Sequence, residues 1–490
     1  MQRASKVVVV VFDGLRPDMV TPERMPILAG FAGDGLWFRE ARSVFPSMTR
    51  VASSSISTGA PPALHGIVGN SFYDPDLTRD FVLDTSRAED IALAESRLGG
   101  PLITAETLGD RLAAHGKRFA VVHSGSAGST YAINPRAAAN GHWTFSVMGR
   151  DATRTPRAVD EVVERFGALP PRTLPRFEET EYATRVFTEL VLGEMEPDVA
   201  LIWFNEPDTS FHYKFLASEE TNAIVQAVDA AFGRILTAIK ARPGADDIAI
   251  IAASDHGQIS TSGVADMASL LTAAGHKAAR GSSRSINGAD ITVTDGNMGE
   301  IRVVDGDMER RDQIARWLMQ RDEIGMLFTP SDDPVLGTVD GTFSTALVGL
   351  DHARQPELVY VLRSGTEADA HGLPGLGLVT GGVPVGGGMH GGLNRHELNT
   401  VLILGGAARG EQPGLSKAPS GIIDIAPTIL DLLGIPAPAS MRGASLIAAG
   451  TQEHPARIET FETGSSAFRQ MFSLARRGHH AFPIHGGRVN

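Results

Sequence analysis

Five stretches of the chain carry five to seven consecutive residues that are apolar and largely β-branched: KVVVVVF at 6–12, RFAVVH at 118–123, VALIWF at 199–204, IAIIAA at 248–253 and TVLILG at 400–405. Runs without polar alternation predict strands buried on both faces, which is the pattern of a parallel sheet. Between them the apolar positions recur with helical spacing. ETLGDRLAAHG (106–116) is one such segment. NAIVQAVDAAFGRILTAIKA (222–241) sets Ile224, Val228, Phe232, Ile235 and Ile239 on one face. GIIDIAPTILDLLGI (421–435) predicts a further helix, with Pro427 near its start and Gly434 at its stop. This alternation predicts an α/β fold, a doubly wound and mostly parallel sheet flanked by helices.

Residues 257–385 break the pattern. They are richer in Gly, Ser and Asp, with short strand-like pieces (ADITVT, EIRVVDG, ELVYVLRSG) around one helix, RRDQIARWLMQ. The expected organisation is a catalytic core from 1–256 and 386–450, an inserted smaller α+β subdomain at 257–385, and a C-terminal extension at 451–490. Segments 150–178 and 406–420 are expected to be surface loops.

The residues just beyond these strands bring chemistry into the pattern. Asp13 comes after the first run, Asp208 and His212 after the third, and Asp255 and His256 after the fourth. Ligands of open α/β sheets bind outside the carboxyl ends of the strands. A single Asp at such a place is usually a cap or turn residue; three strand ends bearing acids, two with an attached His, point to a site. His390, in GGGMHGGLNRHEL, lies between glycines that let the backbone approach a ligand. Asp208 and His212 are four apart, a spacing that puts both on one helical turn. With no cysteine in the chain, these Asp and His residues form an oxygen and nitrogen ligand set suited to zinc or another divalent ion, enough for two ions at about three ligands each.

Composition then narrows the alternatives. The 490 residues carry 44 Lys and Arg against 57 Asp and Glu, a net charge of −13, which argues against a broad nucleic-acid-binding surface. Zero cysteines remove thiol nucleophiles, Cys-ligated zinc, iron–sulfur clusters and a cysteine-derived formylglycine. No apolar run approaches the roughly 18 residues of a membrane span. The opening MQRASKVVVVVFDG predicts a strand rather than a signal peptide. The expectation is a soluble chain, cytoplasmic as given, or periplasmic or secreted if a leader was removed.

VFDGLRPD, FPSMTRVASSSISTG, HGIVGNSFYDP, the PD–TSF–H segment, SDHG, MHGG and IDIAPTILDLLGI occur in that order from Asp13 to about Gly443. The chain thereby resembles the alkaline phosphatase superfamily, in its nucleotide pyrophosphatase/phosphodiesterase branch. The resemblance implies that Thr49 is the nucleophile. It implies that Asp13, Asp255 and His256 bind one zinc together with Thr49, and that Asp208, His212 and His390 bind the other, with manganese able to occupy such ligands. Asn70 resembles the family's amide donor to a phosphoryl oxygen, and the Arg50 N–H would add a second donor if Thr49 begins a helix. In such a site two divalent ions clamp the attacking and leaving oxygens of an in-line displacement, so a −13 chain can process an anionic substrate. The expected substrate is a small phosphate or phosphonate ester, and a homodimer is compatible with the sequence.

Departures from the family bear on substrate. Phosphate-monoester and phosphonoacetate hydrolases of the superfamily carry a cationic pair where Gly128 and Thr130 stand. Phe211 replaces the usual Gly before His212, and Gly391-Gly392 stand where Gly-Tyr is common. Arg50 beside the nucleophile is unusual and is a candidate substrate contact. Tyr73, Phe72, Trp143 and Phe211 are candidate stacking residues. The leading reading is a zinc-dependent hydrolase of phosphodiester or pyrophosphate bonds working through a phospho-threonine. The rivals are a phosphomonoester or phosphonate (C–P) hydrolase on the same scaffold and a non-catalytic phosphate-ester-binding relative. Sulfatases need a formylglycine that Thr49 cannot supply, and the mutases of this scaffold match less well.

Overall fold

The computed structural model describes residues 4–409, 413–449, 456–478 and 480–489. Its centre is an eight-stranded sheet built from β1 (Lys6–Phe12), β2 (Leu36–Phe38), β3 (Phe119–His123), β4 (Trp143–Ser146), β5 (Val199–Phe204), β6 (Ile248–Ala253), β7 (Leu402–Gly406) and β8 (Gly414–Ser416). The spatial order is β8-β2-β7-β6-β1-β5-β3-β4. β6, β1, β5, β3 and β4 run parallel, and β7 is antiparallel to both of its neighbours. All five apolar runs are strands of this sheet. The α/β class and the mostly parallel sheet are as expected.

The strands lack polar alternation because both faces are covered. In β1, Val7, Val9 and Val11 enter one core cluster while Val8, Val10 and Phe12 enter the other. β5 divides the same way, with Val199, Leu201 and Trp203 on the first side and Ala200, Ile202 and Phe204 on the second. Each fully buried Val or Phe contributes about 1.5–3 kcal/mol, so the β1–β5–β6 centre is the rigid base for whatever its carboxyl ends carry. On the first side lie helix α1 (Thr49–Thr58), through Val51, Ala52 and Ile56, and helix α4 (Ile425–Leu432). On the second lies α3 (Glu219–Lys240), capped by Ser218, whose hydroxyl accepts the Thr221 N–H at 3.2 Å. The short α2 (Asp208–Lys214) comes directly after β5.

A six-stranded sheet lies within residues 278–362, with helix Met308–Leu318 packed on it. A four-stranded sheet pairs Ile259–Val264 with Gly388–Met389, with Ile259 opposite Met389. That pairing carries the chain segment after β6 alongside the segment that ends at His390. Arg457–Gly464, Arg469–Arg477 and His480–Arg488 form an antiparallel three-stranded sheet. It is pinned to the start of α4 by an Arg477–Asp424 ion pair at 2.9 Å. Among the described residues no helix is long and apolar enough to cross a membrane.

Two loop expectations need correction. Residues 150–178 contain helix Arg157–Phe166, whose Val159 and Val162 bury against the sheet, and the start of helix Phe177–Arg185, which runs on into a π-helical segment, Val186–Met195. The Pro and Arg residues that suggested a loop are gathered at the helix ends. Within 406–420, Gly414–Ser416 is the edge strand β8, while 410–412 lie outside the described residues.

Candidate active site

The acids and imidazoles converge at the carboxyl edge of the sheet, as strand order requires: β6, β1 and β5 are neighbours, so Asp255, Asp13 and Asp208 lie beyond the ends of three adjacent strands. Asp13 and Asp255 are fully buried and Asp208 is 7% exposed. The Asp208 N–H donates to the Asp13 carbonyl at 3.0 Å, which fixes the start of α2 on the end of β1. One helical turn separates Asp208 from His212, and Asp208 Oδ1 lies 3.4 Å from Nε2 of both His212 and His390. His256 Nε2 is 3.2 Å from Asp255 Oδ2 and 3.5 Å from Asp13 Oδ1. The His256 and His390 rings stack at 3.7 Å between centroids. Their far nitrogens face backbone carbonyls: His212 Nδ1 to Gly388 at 2.7 Å, His390 Nδ1 to Ser47 at 2.8 Å, and His256 Nδ1 to Gly257 at 3.0 Å. Where Nδ1 donates to those carbonyls, Nε2 is the nitrogen left to face the acids and a ligand.

Two overlapping groups can hold a cation: Asp208, His212 and His390, and Asp13, Asp208 and His256. The first coincides with an expected ligand set. The second differs from the expected set in that Asp208 stands in both groups, while Asp255 borders it at His256 Nε2 and beside Asp13. Each acid is anchored through one oxygen. Trp203 Nε1 donates to Asp13 Oδ2 at 2.9 Å, the Gly14 N–H to Asp255 Oδ1 at 3.1 Å, and Gln258 Nε2 to Asp208 Oδ1 at 2.5 Å. Asp13 Oδ1 and Asp255 Oδ2 are buried without a hydrogen-bond partner.

For the side chains alone, burial and then the neighbouring acids Asp255 and Asp208 push Asp13 well above the carboxylate range. Burial above all raises Asp255 to about 8. For Asp208 the same desolvation is outweighed by His212 and His390, which hold it low. Burial lowers His390 to about 4 and His256 well below its ordinary value. Three adjacent carboxyls and three inward imidazole nitrogens, with the Asp13 and Asp255 oxygens orphaned among the described residues, form a donor set that could hold a divalent cation. The set is all oxygen and nitrogen, which fits zinc and also manganese.

Thr49 is the first residue of α1, and its Oγ1 lies 3.2 Å from His256 Nε2. Asn70 is adjacent, and the Arg50 N–H, expected as a second donor to substrate, donates to Asn70 Oδ1 at 3.1 Å. That N–H is thus engaged by Asn70, and the bond leaves the Asn70 amide donors directed away from it. The Arg50 side chain turns from the acids. Its Nε donates to Thr85 Oγ1 at 2.8 Å, Nη2 to the Asn70 carbonyl at 3.3 Å, and Asp84 lies 3.7 Å away. Gly128 explains why no cation occupies its position: a Cβ there would fall 1.6 Å from the Thr85 carbonyl and 2.9 Å from Arg50 Cδ. Thr130 is buried and returns its hydroxyl to Ser126 O at 3.1 Å. A cavity of about 390 Å³ opens beside Met48 and Asn70, bounded by Asp84, Arg284, Asp295 and Glu300.

The stacking candidates are mostly buried. Phe72, Tyr73 and Phe211 are buried, and Trp143 sits at the β4 edge with its Nε1 on Glu161. Residues missing from the sequence reading are Trp203, Gln258, Arg16 and Glu397. Buried Arg16 donates to the Gln258 carbonyl at 3.1 Å and to Asp18, holding the turn after His256. Glu397 accepts the Gly392 and Asn394 N–H groups at 2.9 and 3.1 Å, which shapes the loop after His390. The Asn394-to-Glu397 spacing is a capping-box signature that was there to be read. An indole in a fully buried strand, such as Trp203, signals a buried partner for its N–H.

The fold is that of an alkaline-phosphatase-like protein. A model of the type I phosphodiesterase / nucleotide pyrophosphatase family matches residues 7–366, and the chain belongs to that family. It is 34% identical over 84 residues to the bis(5'-adenosyl)-triphosphatase enpp4 of Xenopus laevis, covering 17% of this chain and 19% of that protein. It is 27% identical over 259 residues to an uncharacterized pyrophosphatase/phosphodiesterase of Schizosaccharomyces pombe, covering 53% and 46%. The matches thus span less than half the length of these curated relatives. Among solved structures it is similar to an inactive threonine-to-alanine variant of murine ENPP5 in complex with AMP, with a TM-score of 0.58 and 16% identity over 89% of this chain and 96% of that one. It is also similar to phosphonoacetate hydrolase from Sinorhizobium meliloti in complex with phosphonoformate, with a TM-score of 0.61 and 19% identity over 88% and 96%.

Proposed function

We propose that this protein is a metal-dependent hydrolase of phosphodiester or pyrophosphate bonds, with two zinc ions per chain and Thr49 as nucleophile. The observation that carries the reading is the approach of Thr49 Oγ1 to within 3.2 Å of His256 Nε2, a member of the second Asp/His group. Family membership and the ENPP5 neighbour, inactive with one threonine changed to alanine, support it. Asp208, His212 and His390 would hold one ion; Asp13, Asp255 and His256 the other, with Asp208 shared between them. Bound divalent ions supply Lewis-acid charge at a phosphoryl group.

The chain's own residues do the rest. α1 holds the Thr49 hydroxyl at its N-terminus, where the helix dipole favours an anion. Thr49 Oγ forms a bond to phosphorus as the bond to the leaving oxygen breaks; the hydroxyl proton passes to solvent and the leaving oxygen takes one from it. Water then displaces the Thr49 oxygen from phosphorus and restores the hydroxyl. Asn70, oriented by the Arg50 N–H on its Oδ1, presents its amide N–H to a phosphoryl oxygen. The cavity beside Met48 and Asn70 accommodates the leaving group.

Substrate charge separates this reading from the phosphonoacetate-hydrolase-like one. The Thr85 carbonyl fills the space a side chain at 128 would need, and Arg136 is engaged by Asp110. A diester, with one negative charge at phosphorus, matches a site whose nearby arginines, Arg50 and Arg284, are engaged by Thr85 and Asp90. Each charge-assisted contact missing for a monoester dianion costs roughly 1.5–3 kcal/mol, or about 10–150-fold. The test compares an aryl phosphodiester with the matching aryl phosphate monoester and with phosphonoacetate, on one zinc-analysed preparation. The diester should have the highest kcat/KM. A clear preference for the monoester or phosphonoacetate contradicts the proposal.

A further inference from the structure

We infer that Trp203 is a positioning residue for the metal centre: its indole N–H fixes the plane of the Asp13 carboxylate so that Oδ1 faces the ion that Asp13 shares with His256. The inference rests on the two-ion reading above and extends it to a residue outside the ligand set. Asp13 Oδ2 accepts the Trp203 Nε1–H at 2.9 Å, while Oδ1 has no hydrogen-bond partner and lies 3.5 Å from His256 Nε2. Rotation about the bond to the carboxyl group would exchange these oxygens, and the indole donor selects one arrangement. Asp255 is anchored by a backbone N–H. The Asp13 anchor is a side chain, so substitution can remove it.

The indole is itself held across three neighbouring strands. Val11 of β1 is the register partner of Trp203 in β5, and His123 of β3 is its partner on the other side. The His123 ring lies parallel to the indole at 5.3 Å between centroids and 10°. His123 Nδ1 accepts the Gly125 N–H at 2.7 Å, which fixes that ring in turn. Trp203 and His123 are both fully buried. The sequence His123–Trp203–Asp13 therefore runs from the sheet interior to the orphaned oxygen. Phenylalanine at 203 would keep the stack on His123 and most of the packing but would offer Asp13 no donor.

The test is a zinc titration against a chromophoric chelator, with Zn2+ alone as probe, on wild type, Trp203→Phe and Phe204→Leu. Phe204 lies next in the strand and buries on the opposite face, so its variant controls for a cavity in β5. In Trp203→Phe one of the two zinc affinities should fall about 10–100-fold, the scale for losing an outer-shell partner. The other should change less than threefold, as should both in Phe204→Leu. Independently of any variant, the Trp203 indole N–H resonance of the wild type should shift as zinc binds. Unchanged zinc affinities in Trp203→Phe, equal losses at both sites, or an indole resonance indifferent to zinc each overturn the inference. A wild-type chain that binds no divalent ion sinks the two-ion reading as well; one that binds two, with Trp203→Phe behaving identically, overturns the positioning role alone.

Discussion

Gly128→Ala adds one methyl group where the fold has no room for it. The new Cβ falls 1.6 Å from the Thr85 carbonyl oxygen, whereas non-bonded carbon contacts sit near 3.5 Å, so one backbone must retreat by about 1.5 Å or more. Thr85 cannot yield alone. Its N–H and hydroxyl both donate to the Asn70 carbonyl, at 3.1 and 2.7 Å, and its hydroxyl accepts Arg50 Nε at 2.8 Å. Alanine would gain about 1 kcal/mol over glycine from helix propensity, since residue 128 lies in helix Ala127–Ile133. Overpacking costs about 1–3 kcal/mol, and against backbone the upper end of that range applies, so the net loss is about 2 kcal/mol. Displacement of Thr85 carries Asn70 with it, and if Asn70 contacts the phosphoryl group as proposed, a 1 Å error there costs about 10²-fold in rate. Urea denaturation gives the first number and kcat/KM on an aryl diester at saturating zinc gives the second. Gly30→Ala, in helix Pro26–Asp34 with nothing within 4 Å of the new Cβ, is the control and should match or exceed wild type. A Gly128→Ala protein as stable and as active as the wild type refutes the account of this close approach.

Thr49→Ala should keep the fold and most of the metal while losing 10²-fold or more in kcat, with Thr49→Ser partly active; turnover of Thr49→Ala at the wild-type rate would remove it as nucleophile. Asp208→Asn should lower the affinity of both ions because Asp208 belongs to both groups, whereas His212→Ala should release one before the other in a chelator titration; the reverse ordering contradicts the shared role. His65 and His123 are each held down to about 3 by burial, so they stay neutral when folded while an unfolded chain binds protons below about pH 6.5. Stability should therefore be fully present above that pH and fall as pH drops toward 3, and His65→Gln should flatten the slope measured by urea midpoints between pH 4.5 and 7.

The sheet was legible because its strands are apolar on both faces, a pattern set by burial alone. The antiparallel direction of β7 was not, because strand direction depends on connections rather than on composition. Helix Arg157–Phe166 was obscured by the Pro residues around it, although Pro156 only precedes it and Gly167, with positive φ, ends it. The acids could be placed at the carboxyl ends of their strands from order alone, and the histidines with them. The sharing of Asp208 was invisible, since it depends on the turn of α2 against the loop carrying His390. Arg50 illustrates the same limit: beside the nucleophile in sequence, its guanidinium is drawn to Thr85 and Asp84, which come from a loop some 35 residues later.

The stereochemical course at phosphorus tests the central claim most directly. A phosphorothioate diester chiral at phosphorus, hydrolysed in isotopically labelled water, reports how many in-line displacements occur. Attack by Thr49 and then attack by water makes two inversions, so the account predicts net retention of configuration. Net inversion would mean that water attacks the diester in a single step, and would contradict a covalent phospho-threonine at Thr49.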